Sequence, residues 1–423
     1  MEYYFFFELL QVALGNRERL SRIPAAEEWE GIYEESVRQA VTGILLHGID
    51  RLPAKQRPLQ VLLLQWIGEG QMIEQQNLMM DKHCCQLLKM LEEQGLKGSI
   101  LKGQGIARLY DVRGKKDDVK EGCPLSSKSE ENHSGAYTNL AALRQSGDID
   151  VYVDCGLKRA MEFAKSTEQK EAEWDYKHLH LNVWDDTEVE MHYRVEVLLN
   201  LWKNRRLQKW FKKHKDKIFG QDSNKSRIRE LENISGANTV RTNDTNEFAT
   251  PTVEFNVFYI LLHIYRHFLY EGVGMRQIVD YYFVLKRLRD ERLDFLDEPS
   301  SKAERKGSSM SKESLAAVHE FGMDKFAKGL MWVMKDALGM PAEWMLWEPD
   351  KKEGEYILKQ VMTGGNFGHY DDRLRHCGGK VGAVKAILMH NLHLLAHYPS
   401  DVIWAPVWII WHKLWKIKTR MTI

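Results

Sequence analysis

The sequence predicts an α+β protein, a small mixed β-sheet embedded in a mostly helical chain. Three observations carry this. Gly147-Asp148-Ile149-Asp150-Val151-Tyr152-Val153 is β-branched at alternate positions, as a strand should be. His178 to Trp184 and Glu188 to Tyr193 alternate on either side of Asp185-Asp186, the pattern of a hairpin. The rest of the chain carries apolar residues mostly at helical spacing.

Taken in order, residues 1–96 read as helical. Glu28 to His47 and Leu59 to Leu91 each carry an apolar face, and Gly95 is a C-terminal stop for the second. The period changes at Gly98-Ser99-Ile100-Leu101-Lys102-Gly103, a short strand running into a turn, and Gly103 to Tyr110 opens a helix. Residues 114–138 are rich in Lys, Asp, Glu, Ser and Gly and predict a flexible surface insertion. The Asp148 strand, a helix from Leu157 to Thr167 and the hairpin complete a β-α-β-α-β-β order. Beyond Arg194 the chain reads as helical, with loops at 219–248 and 297–312 and helices at Val253–Tyr270, Arg276–Leu288 and Ala316–Leu338. The division expected is an N-terminal helical region over 1–96, an α/β core over 97–200 and a C-terminal helical domain over 201–423.

Composition narrows the function classes. Lys plus Arg and Asp plus Glu both total 60 in 423 residues, so the formal net charge is zero and a dedicated nucleic-acid binder is disfavoured. The basic run from Lys203 to Lys217, interleaved with Trp202, Trp210 and Phe211, reads as a solvated helix face rather than a phosphate-binding surface. Five cysteines without a CxxC pair fit a reducing cytosol. Glu2 and Glu8 interrupt the apolar start, which lacks a basic n-region, so a signal peptide is not expected. Val402 to Trp411 is too short to span a bilayer, and no transmembrane segment is predicted. A buried helix is preferred there to a membrane-surface helix, and the recurrent Trp404, Trp408, Trp411 and Trp415 to a packing stripe.

The chemistry gathers around the acidic strand. Strand side chains alternate, so Asp148 and Asp150 share one face, and Glu190, between Val189 and Met191 of the hairpin, can bring a third carboxylate. Three clustered carboxylates repel one another and favour a hard divalent cation, Mg²⁺ above all. Metal binding is therefore preferred to the plainer reading of turn and edge-strand acids. Lys102-Gly103-Gln104 at a strand-to-helix turn offers backbone N–H groups and an ammonium to a phosphate, although the spacing matches neither the P-loop nor the dinucleotide fingerprint. In Arg144-Gln145-Ser146, Arg144 either grips a triphosphate or neutralises surface charge. His263 and His267 lie one helical turn apart, but polar packing in which Arg276 or His267 pairs with Asp280 is preferred to a metal site.

These residues, Lys102-Gly103, Arg144 with Gly147-Asp148-Ile149-Asp150, and Val189-Glu190-Met191-His192, resemble the uncharacterised bacterial nucleotidyltransferase family of the polymerase-β-like superfamily. The stretch with His263, His267, Arg276 and Asp280 is similar to that family's helical half. The resemblance implies a nucleotidyltransferase-type core over 97–200 and metal-dependent transfer of a nucleotidyl group from an NTP, ATP first, to an unknown acceptor, small molecule or protein. It implies Asp148, Asp150 and Glu190 as catalytic acids and metal ligands and Gly103 as the turn glycine that holds the triphosphate; two Mg²⁺ ions are expected there, and Lys102, Gln104, Arg144 and Ser146 are expected to join Gly103 in nucleotide binding. The chain departs from the superfamily pattern in having Gln104 where Ser or Gly usually follows the turn glycine, and in the 114–138 segment. The alternative is a catalytically inactive nucleotide- or partner-binding module on the same fold.

Overall fold

The structure is a computed structural model that describes residues 4–110, 139–167, 172–220, 248–296, 304–370 and 394–421; the expected 114–138 insertion lies outside them. Four strands form one mixed sheet: β1 (Gly98–Ile100), β2 (Ile149–Val153), β3 (His178–Trp184) and β4 (Thr187–His192), in the order β1-β2-β4-β3. β1 runs antiparallel to β2, β2 parallel to β4, and β3 antiparallel to β4. The parallel register sets Asp150 opposite Glu190 and Tyr152 opposite His192, and the hairpin register sets His178 opposite His192.

Alternation divides the sheet into two faces. Ile149, Val151, Val153, Leu179, Leu181, Val189 and Met191 point to an apolar layer. There they meet Met80, Cys84, Leu87 and Leu91 of α4 (Gln60–Glu93) and Ala160, Phe163 and Ala164 of α6 (Gly156–Ser166). The other face carries Asp150, Tyr152, Glu190, His192, His178 and His180 and looks toward the helical half.

The larger helical core gathers α1 (Tyr4–Ala13), α2 (Ala26–Arg38), α3 (Thr42–Arg51), the first turns of α4, α7 (Leu201–Lys213), α9 (Val253–Tyr270), α10 (Met275–Leu296), α11 (Glu304–Glu320), α12 (Asp324–Asp336) and α13 (Lys351–Gly364). Short α5 (Gln104–Ala107), α8 (Lys215–Ile218) and α14 (Pro399–Val402) connect them, and α15 (Trp404–Arg420) is the last described helix. α9 is buried on nearly all sides, so its apolar residues need no stripe. Thr252 caps its start by accepting from Phe255 N at 3.4 Å, and Asn200 caps α7 by accepting from Trp202 N and Lys203 N.

Four sequence expectations are corrected. The helix expected from Glu28 to His47 is two, α2 and α3, separated at Ala40, whose φ is +54°. That from Ala316 to Leu338 is also two, parted at Gly322 with φ +75°. Helix α11 starts at Glu304, inside the expected 297–312 loop. The Trp-rich segment is a helix but not a buried one: Ala405 is its one fully buried residue.

Candidate active site

Lys102 and Gly103 follow directly from β1. Gly103 adopts φ +58° and ψ −113°, a conformation a side chain would strain, and this reverses the chain into α5. A Cβ at Gly103 would lie 3.4 Å from Asp148 O, so the turn packs against the entry to β2. Leu101 N donates to Asp150 O at 2.9 Å and extends the β1–β2 ladder one residue further. The turn, the acidic strand and Glu190 are thereby held together by backbone hydrogen bonds rather than by side-chain contacts alone.

Lys102 Nζ lies 2.8 Å from Asp150 Oδ2 and 3.6 Å from Asp148 Oδ2. The other oxygen of Asp150 lies 2.8 Å from His192 Nε2, which is 3.1 Å from Glu190 Oε2. His178 Nδ1 stands 3.3 Å from the same Glu190 oxygen. Ligand atoms of Asp150, Glu190 and His192 lie within 4.8 Å of one another, as do those of His178, His180 and Glu190. Asp150 and His192 are buried, whereas Asp148 and Glu190 are partly open.

The electrostatics follow from this arrangement. Burial works against the Lys102 ammonium, but Asp148, Asp150 and Glu190 outweigh it and raise its pKa. Burial likewise opposes the Asp150 and Glu190 carboxylates, and Lys102 and His192 more than compensate, so both stay below their ordinary range. His192 is pulled down by burial and raised on balance by its hydrogen bonds to Asp150 and Glu190. Three carboxylates surround the Lys102 ammonium, with the His192 imidazole between two of them, so the cluster keeps an excess of negative charge. Its donors are carboxylate oxygens with one imidazole beside them, a set suited to a divalent cation.

The cleft over this cluster is walled by Ile260, His263 and Ile264 of α9, by Arg276, Gln277 and Asp280 of α10, and by Arg144 and Gly147. Of the residues expected from the sequence, Lys102, Gly103, Asp148, Asp150 and Arg144 line it, and Glu190 joins through His192. Arg144 holds Asp280 in a two-point pair, Nε to Oδ1 at 2.7 Å and the second amine to Oδ2 at 2.8 Å, and Tyr110 donates to the same carboxylate at 2.7 Å. The Gln104 side chain donates to Asp81 Oδ1 at 2.8 Å, away from the cleft. Ser146 is half-buried in the same loop and outside the lining. His263 pairs with Glu196 at 3.0 Å and His267 with Glu271 at 2.7 Å, so the two histidines serve polar packing.

The sequence carried His192 in the Val189–His192 motif without a role, and it gave none to Glu196 with its partners or to His178. His192 links Asp150 to Glu190. Lys177 and Arg266 converge on fully buried Glu196, at 3.7 and 3.2 Å. The signal for Glu196 was the one that singled out Glu190, a carboxylate between two apolar strand-type residues, here Val195 and Val197. His178 lies cross-strand from His192.

No curated protein and no solved structure matches the chain. A family model described as uncharacterised nucleotidyltransferase matches residues 25–114 and 134–310, which include Lys102, Gly103, Asp148, Asp150, Glu190 and the α9–α10 wall. The chain therefore belongs to that family of nucleotidyltransferases.

Proposed function

We propose that this protein transfers a nucleotidyl group from an NTP, ATP first, to the hydroxyl of an acceptor in a metal-dependent reaction at the Asp148–Asp150–Glu190 cluster. One observation carries the reading: Asp148 and Asp150 line a cleft beside a glycine turn, and Glu190, cross-strand from Asp150 on the parallel neighbour, shares His192 with it, in a nucleotidyltransferase-family chain. Asp148, Asp150 and Glu190 would hold one or two Mg²⁺ ions, which when bound offset the charge building on the transferring phosphoryl group and make the acceptor hydroxyl more acidic. His192 fixes the facing oxygens of Asp150 and Glu190, so the carboxylates are oriented before any substrate arrives.

Lys102 touches Asp150 and lines the cleft, where its ammonium would meet phosphate oxygens. The Gly103 turn lets backbone approach the same region closely. Gln104 would contribute through its amide, because its side chain is committed to Asp81. Arg144 would act by holding the cleft wall through Asp280. Glu190, despite burial, is held so far toward its charged form by His192 and Lys102 that it suits ligation better than proton abstraction.

The test is incubation with each α-phosphate-labelled NTP, Mg²⁺ or Mn²⁺ and a cell extract. Label transfer is expected with wild type and should drop by at least about 100-fold in Asp148→Asn, the scale of losing one group that stabilises transition-state charge. Equal labelling by wild type and Asp148→Asn would overturn the assignment of this site. Nucleotide binding with no transfer to any fraction would instead favour a non-catalytic binding module.

A further inference from the structure

The outward face of α15 carries an apolar stripe that the nucleotidyl-transfer reading does not use. Ile403, Val407, Ile410, Leu414, Ile417 and Met421 recur at spacings of four and three. At 100° per residue they fall within an arc of about 80°. Their exposure runs from 42% at Val407 to 80% at Met421, with Ile403, Ile410, Leu414 and Ile417 near 60%. Apolar side chains aligned on a single exposed face are not the scattered kind that any surface carries.

The opposite face is anchored. Trp408, Trp411 and Trp415 pack edge-on against Tyr176, with ring centres 5.4, 4.9 and 4.9 Å away. Trp415 also meets Trp174, and Lys416 lies over the Trp174 ring. The tryptophans therefore explain how the helix attaches to the protein and leave the aliphatic stripe unexplained.

Charge decides what fits the stripe. From Val402 to Ile423 there is no Asp or Glu, while Lys413, Lys416, Lys418 and Arg420 are all basic. By the same helical geometry Lys413 and Arg420 border one side of the stripe and Lys418 the other. A second copy of this helix would set basic borders against basic borders, with no acid on either to relieve them. A surface of anionic phosphate headgroups complements the borders, and its acyl region accepts a convex aliphatic ridge without a shaped groove. Among the described residues no helix is long and apolar enough to cross a membrane, so the geometry is that of a helix lying in the interface.

We propose that α15 docks the protein on an anionic lipid surface through the Ile403–Met421 stripe, with Lys413, Lys418 and Arg420 at the headgroups. The test is flotation of the full chain with vesicles of phosphatidylcholine alone and of phosphatidylcholine with phosphatidylglycerol. Co-flotation is expected with the anionic vesicles, weaker with the neutral ones, and reduced by salt. Ile410→Ser with Leu414→Ser, both outward-facing, should abolish it while circular dichroism stays unchanged. Lys413→Glu with Lys418→Glu should lower partitioning on the order of tenfold or more. The proposal is overturned if wild type does not float with anionic vesicles, or if the serine pair floats as well as wild type. A dimer in light scattering that the serine pair dissolves would also overturn it, by making a second copy the occupant.

Discussion

His178 on the sheet and His263 on the α9 wall are kept neutral by the same cause. Burial, reinforced by His192 for the first and by His267 and Lys102 for the second, lowers their pKa values to about 4 and about 3. An unfolded histidine titrates near 6.5. Between these limits the unfolded chain takes up a proton that the native chain refuses, so stability falls as the pH drops below about 6.5. His192 acts oppositely: its pKa is raised, and its contribution is present at low pH and lost as the pH rises through its native value. The depressed carboxylates Asp150 and Glu190 add stability above about pH 4 and lose it as the pH falls through their native values. With His267 also lowered by burial, the depressed histidines outnumber His192. The urea midpoint should therefore be lower at pH 5 than at pH 7, with a shallower dependence in His263→Asn; an unchanged slope in that variant would remove His263 from the account. At this scale the acids were legible and their companions were not. Asp148, Asp150 and Glu190 stand out because carboxylates interrupt strand-forming sequence, whereas His192 and Lys177 gain their meaning from neighbours on other strands and helices.

Elements were legible where their signal is local. The hairpin appeared with its Trp184–Thr187 turn because alternation and the turn residues lie within a few positions of each other. The α2–α3 break was not legible. Gln39 ends α2 with its side chain, which donates to Glu35 and accepts from Met275 N at 2.9 Å, a contact 236 residues distant. Ala40 then turns through a positive φ that sequence would assign to glycine. At Gly322 the glycine was present as a helix stop but lay inside a continuous apolar pattern. The turn from β1 into α5 depends on a different glycine property, close approach. A Cβ at Gly105 would lie 2.6 Å from Ile100 O, a backbone atom of β1. Gly105→Ala should push α5 off the strand and destabilise the protein by about 1–3 kcal/mol, the usual range for overpacking. Equilibrium urea unfolding measures this, and a change within error of zero would mean the β1–α5 junction is more pliable than its geometry implies.

Across the whole molecule, the cleft exists because two bodies of structure are clasped over it. On one side of the sheet's polar face, Arg144 reaches from the loop before β2 to Asp280 on α10, where Tyr110 also donates. On the other side, Lys177 before β3 and Glu196 after β4 meet Arg266 and His263 of α9. Both clasps are buried, so each resembles a core contact rather than a surface ion pair. Well-paired buried ions add little over a hydrophobic replacement, but a single survivor is strongly unfavourable, by about 3–5 kcal/mol. Asp280→Ala strands both the Arg144 guanidinium and the Tyr110 hydroxyl and should lose stability of that order. Arg144→Met combined with Asp280→Leu removes both charges and fills the space, so it should lose less than Asp280→Ala alone. Urea unfolding of the two variants and of Arg144→Met separates the cases, and equal losses for Asp280→Ala and the double variant would show that the clasp is not an electrostatic unit. The label-transfer assay adds a second reading of the same proteins. Because Arg144 and Asp280 wall the cleft without touching Asp148 or Asp150 in this arrangement, the double variant should keep measurable transfer at a pH and temperature where it is folded. Asp148→Asn, folded or not, should keep almost none.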